Sequence, residues 1–75
     1  MTTQTEVDNI NIFRKYRIND QLMVEYMKYP ERLFLGIVKG FQYDDEGKLG
    51  ILVDFVNGAA SWINPMDTEI VITKV

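Results

Sequence analysis

Two stretches of this chain place apolar side chains at every second position. Leu22, Val24 and Tyr26 form the first, alternating with Met23, Glu25 and Met27; Leu49, Ile51, Val53 and Phe55 form the second. A repeat of two is that of a strand with one buried face. A chain of 75 residues patterned in this way has room for one small β domain. Such a domain buries only about 60% of its unfolded surface, so its core is thin. Cysteine is absent, so no disulfide framework reinforces that core and packing alone must hold it. The 47% hydrophobic content and net charge of −3 lie outside the range of disordered chains.

Turn signals divide the pattern into five strands. Asn19-Asp20 precedes the first, which ends at Lys28-Tyr-Pro-Glu-Arg32, where Pro30 cannot donate to a ladder. The run Leu33 to Tyr43 is long for one strand, and Gly36 and Gly40 mark a bend or bulge within it. Asp44-Asp-Glu-Gly47 reads as a hairpin turn and Asn57-Gly58 as a second. A short strand, Ala59 to Ile63, follows; Asn64-Pro-Met-Asp67 reads as one 3₁₀ turn, and Glu69 to Thr73 as the last strand. Polar Asp54 turns Leu49, Ile51 and Val53 towards the core. Ahead of the strands, Met1 to Asp8 reads as a frayed tail. Residues 9–17 fit a short helix capped by Asp8 or Asn9, and fit a strand as well; a helical or irregular segment packing Ile12, Phe13 and Tyr16 is favoured. The division is therefore a tail and packing segment over 1–19 and a β-barrel over 20–75. The fold class is all-β, a single five-stranded antiparallel barrel.

Missing residue types exclude much chemistry. Histidine is absent along with cysteine, which removes the usual general base, the thiolate nucleophile and the usual zinc ligands. A carboxylate-only glycosidase needs a cleft that so short a chain can hardly build. No catalytic residue, metal site or cofactor is therefore expected. No apolar run approaches the roughly 18 residues of a membrane span, and the start Met1-Thr-Thr-Gln-Thr-Glu6 lacks the pattern of a secretory signal. A cytoplasmic protein without membrane contact is the expectation. The acidic balance argues against broad binding to a phosphate backbone.

The order of strands and turns resembles the Src-homology-3-like (SH3-like) barrel superfold, and within it Tudor, chromo-barrel and KOW-type modules. The residues that carry the resemblance are the loop Lys28 to Arg32, the turn Asp44 to Gly47 and the Pro65-Met-Asp67 turn. Phe34-Leu-Gly-Ile-Val38 is similar to the second Tudor strand, and Val53-Asp-Phe-Val-Asn-Gly58 to the Tudor segment with an aromatic before an Asn-Gly turn. The usual second Tudor aromatic is Val56 here. The resemblance implies an aromatic cage for a methylated Lys or Arg, with Tyr29 and Phe55 as its walls and Trp62 lining the same mouth. Aromatics also dominate the cores of small domains, so core packing is the favoured reading of Phe34, Phe41 and Phe55.

Trp62 points outward if Ile63 points inward, as an interface anchor, or else covers the open end of the barrel. Asp44-Asp45-Glu46 lacks the ligand spacing of a calcium loop and reads as a solvated turn. Six acids against Lys48 between Asp44 and Glu69 form a negative face suited to a basic partner. The cations Arg14, Lys15 and Arg17 around Tyr16 are the candidate contacts for nucleic acid or nucleotide. Met23 and Met27 share one strand face, an apolar patch for a partner or for self-association if the N-terminal segment leaves it open.

The leading expectation is a non-catalytic protein-interaction module, an adaptor or inhibitor, contacting its partner through Trp62, Tyr29, Phe55, Tyr26 and Tyr43. Small acidic proteins of this kind resemble the accessory proteins that phages and mobile elements direct against host machinery. Nucleic-acid binding by the barrel is the alternative, and self-assembly as a homo-oligomer is the third reading.

Overall fold

The computed structural model describes residues 2–75. One helix, α1 (Gln4–Lys15), precedes five strands: β1 (Gln21–Tyr26), β2 (Leu33–Tyr43), β3 (Leu49–Phe55), β4 (Ala60–Ile63) and β5 (Ile70–Lys74). The helix begins within the stretch read as a frayed tail; Met1 lies outside the described residues. Thr3, not Asp8 or Asn9, is its N-cap, accepting from the Glu6 amide at 3.1 Å. Glu6 in the first turn and Arg14 and Lys15 in the last complement the helix dipole. After the helix, Asn19 takes a φ of +76°, a conformation that asparagine tolerates. The Asp20 carboxylate closes this turn on the Arg17 amide at 2.9 Å and meets Lys74 Nζ at 3.2 Å.

Those two contacts, the Arg17 amide first and the Lys74 ammonium second, hold the Asp20 carboxyl below its ordinary pKa. A depressed carboxyl contributes stability that is complete above its unfolded pKa and lost as pH falls through the folded value. Wild type should thus lose this contribution below about pH 4. Asp20→Asn should therefore be less stable than wild type near neutrality and converge with it as pH falls, flattening that limb of the stability curve. Denaturation midpoints for both proteins between pH 2 and 7 provide the check; parallel acid limbs would refute it.

All neighbouring strands are antiparallel, in the order β4-β3-β2-β1-β5. Five strands were expected, but the sheet is open and not a closed barrel: among the described residues β4 pairs only with β3 and β5 only with β1. The chain between them forms two separate turns, closed by Asp67 N–H to Asn64 O and Ile70 N–H to Asp67 O. The tight turn expected at Asn64–Asp67 forms, as a single hydrogen-bonded turn and not a 3₁₀ helix, and the Asn64 side chain braces it by accepting from the Met66 amide at 2.8 Å.

The core forms between the inner face of the sheet and α1. Leu22, Val24, Val38, Ile51, Val53 and Ile63 are fully buried, and Ile12 and Tyr16 join them from the helix side. A bulge between Val38 and Gly40 explains how the long β2 serves this core throughout. Before the bulge Phe34 and Val38 point inward; the extra residue shifts the parity, and Phe41 opposite Ile51 points inward beyond it. Asn9 fastens the helix to the β2–β3 hairpin. Its Nδ2 donates to Gly47 O and its Oδ1 accepts from Leu49 N, both at 2.9 Å.

Candidate functional site

The aromatic residues singled out in the sequence are dispersed. Phe55 is a core residue, only 8% exposed, which removes it as a direct contact. Its ring meets Phe34 at 5.9 Å, and Phe34 meets Tyr26 edge-on at 5.4 Å. Tyr26 is half-buried, and that burial pushes its phenol pKa up. Tyr29 is exposed in the β1–β2 loop, where Arg32 lies 5.8 Å from its ring centre. Trp62 is half-buried on the face of β4 opposite Ile63. Its indole lies across Gly50, and its Nε1 donates to Gln42 O at 2.8 Å. Tyr43 is exposed at the end of β2, beside the helix. Tyr29, Phe55 and Trp62 thus pack against different neighbours, and the three do not form one cage.

Trp62 is the sole tryptophan, so its fluorescence reports this contact alone. A Cβ at position 50 would overlap the indole ring. Gly50→Ala should therefore push the indole off the sheet, break its bond to Gln42 and shift its emission to the red. An unshifted spectrum would contradict the packing.

Of the candidate cations, Lys15 is engaged with a ring. Lys15 and Lys74 lie 5.6 and 5.9 Å from the centre of the Tyr16 ring, and Lys74 also pairs with Asp20. Tyr16 itself is buried, and burial raises its pKa, so it presents no stacking face beside Arg14, Lys15 and Arg17. In the acidic turn, Asp44 Oδ1 accepts from the Glu46 and Lys48 amides at 2.9 and 2.8 Å and holds the hairpin closed.

Exposed apolar groups concentrate instead on the outer face of β1, β2 and β5. The register sets them in rows: Leu33 beside Glu25 and Val71, Leu35 beside Met23 and Thr73, Ile37 beside Gln21. Val75 extends the last row by donating to Gln21 O, and Val56 joins from the end of β3 by donating to Leu35 O at 2.8 Å. Val56 is 81% exposed, Val75 78% and Leu33 60%. Leu35 and Val56 form a ridge between two shallow hollows of about 370 and 250 Å³. The helix packs against β3, away from this face, and Met23 lies on it half-buried. Met27 does not join Met23, because β1 ends at Tyr26 and Met27 belongs to the turn that follows. Sequence reasoning found Met23 here but missed Leu33, Leu35 and Val56. Their signal was the alternation with inward Phe34 and Phe55.

Among the described residues no helix is long and apolar enough to cross a membrane. No protein-family model, curated protein or solved structure matches the chain.

Proposed function

We propose that this protein is a non-catalytic interaction module, SH3-like in its strand order, that binds a protein partner through the outer face of β1, β2 and β5. The observation that carries the reading is the continuous exposure of Leu33, Leu35, Val56, Val71 and Val75 on one side of the sheet. Small monomeric domains rarely leave so many large apolar groups contiguous, and patches of this kind mark contact sites. Glu25 lies among them and Asp54 pairs with Ile37 at their edge, so the fitting partner is an apolar surface with basic groups around it. Occupying such a surface is the work of an adaptor or an inhibitor. The engagement of Lys15 and Lys74 with Tyr16 favours this reading over nucleic-acid binding.

Immobilised wild type and a Leu35→Asp, Val56→Asp double variant in nuclease-treated lysate provide the test. Wild type should retain one protein that the double variant loses by more than about tenfold, the effect of roughly 1.4 kcal/mol. The variant should melt like wild type, since both side chains face solvent. Equal retention by both proteins would overturn the reading, as would recovery of nucleic acid that nuclease abolishes.

A further inference from the structure

A second apolar surface lies on the other side of the molecule, independent of the proposed partner face. Val7, Ile10 and Phe13 recur every three residues along one side of α1, and all three are exposed. A helix docked on its own domain turns its apolar side inward; here Ile12 and Tyr16 do that, and the Val7–Phe13 stripe remains outside. Phe13 stacks at a tilt on Phe41 with 5.2 Å between ring centres. From there the surface runs into an open groove of about 400 Å³ bounded by Ile10, Phe13, Arg14, Phe41, Tyr43 and Leu49.

Charge along this surface is sorted by end. Glu6, next to Val7 in the first turn, is the acid at the N-terminal end of the stripe; Asp8 lies on the other side of the helix, in a separate hollow with Ile12, Asp44, Glu46 and Trp62. In that hollow Lys48 is paired with Glu46 at 3.2 Å. Arg14, Lys15 and Arg17 lie at the C-terminal end, where Lys74 shares the Tyr16 ring with Lys15. A surface acidic at one end and basic at the other is complementary to itself after a half-turn.

We infer that this groove is the interface of a homodimer with two antiparallel α1 helices related by a two-fold axis level with Ile10. That operation sets the acidic end of each copy against the basic end of the other and opposes the helix dipoles. It also places Val7 of one copy level with Phe13 of the second. A stable interface covers about 800 Å² per partner. The helix is only about 18 Å long, so Phe41 and Tyr43 on the hairpin rim complete the contact.

Sedimentation velocity separates the outcomes. At about 100 µM, well above a micromolar dissociation constant, wild type should sediment at twice the 8.8 kDa chain mass. Glu6→Arg and Arg14→Glu each place like charges at both ends of the contact and should weaken association about tenfold. Mixed in equal amounts, these two folded variants should recover the dimer, because opposite charges then meet at each end. Leu35→Asp should leave the dimer intact, which keeps this interface distinct from the partner face. A monomeric wild type would overturn the inference. So would a dimer indifferent to both charge variants, or one that only Leu35→Asp dissociates.

Discussion

Gly36→Val is expected to lower the melting temperature by about 10–20 °C, one of the two largest effects expected of a single substitution in this domain. Gly36 faces inward between Leu22 on β1 and Phe55 on β3. A Cβ there would stand 2.5 Å from Val53 Cγ1 and 2.9 Å from the Asp54 carbonyl oxygen. The carbonyl belongs to the β3 backbone within the β2–β3 ladder and cannot rotate away, so relief requires the strands to separate. Overpacking of this kind costs about 1–3 kcal/mol and occasionally more. Each kcal/mol lowers the melting temperature of a domain this size by roughly 4–8 °C. Gly40→Ala is the control. Its Cβ would meet only Leu52 Cδ1, at an ordinary 3.6 Å, and it should melt within about 2 °C of wild type. Thermal melts followed by circular dichroism give both values; a wild-type melt for Gly36→Val would contradict the strand packing.

Asn9→Ala should have an effect of comparable size, about 2–4 kcal/mol, because it removes two bonds and strands the Leu49 donor. The β3–β4 pairing ends at Ile51 and Ile63, so β4 stops short of Leu49. On that side of β3 the Leu49 amide has no neighbouring strand, and Asn9 Oδ1 supplies the acceptor in its place. Leu49 is buried, so loss of Asn9 leaves its N–H with neither protein nor water. The same change releases Gly47 O and frees α1, which uncovers Ile12 and Tyr16. Total stability for 75 residues is roughly 4–11 kcal/mol, so the variant should be marginal. Hydrogen exchange should show Leu49 losing protection together with the amides of α1. Wild-type protection at Leu49 would show that Asn9 does not hold the helix.

Where interactions are local, the sequence was readable. The period-two run Leu49, Ile51, Val53, Phe55 and the turns at Asp44–Gly47 and Asn57–Gly58 form as their residues imply, because alternation and turn chemistry act over a few positions. The helix start was also encoded, as Thr3 followed three residues later by Glu6. The polar composition around that pair masked it: most of those side chains face solvent, and Val7 is the lone apolar residue between Thr2 and Asp8. Sheet closure was not readable, since it depends on whether β4 and β5 meet across the whole sheet. The site was hidden for a similar reason. Alternation separates Leu33 and Leu35 from Phe34, but which face the helix covers depends on the Asn9 bonds to residues nearly forty positions away. Phe55 and Val56 are neighbours in sequence with opposite fates, one in the core and one 81% exposed.

The most direct measurement is side-chain footprinting of the protein alone and in the complex captured from lysate. Leu33, Leu35, Val56 and Val75 should lose labelling when the partner binds, while Tyr29 and Trp62 keep theirs. Protection confined to Tyr29 and Trp62, with Leu35 and Val56 labelled as in the free protein, would contradict the outer-face interface and restore the loop aromatics as the site.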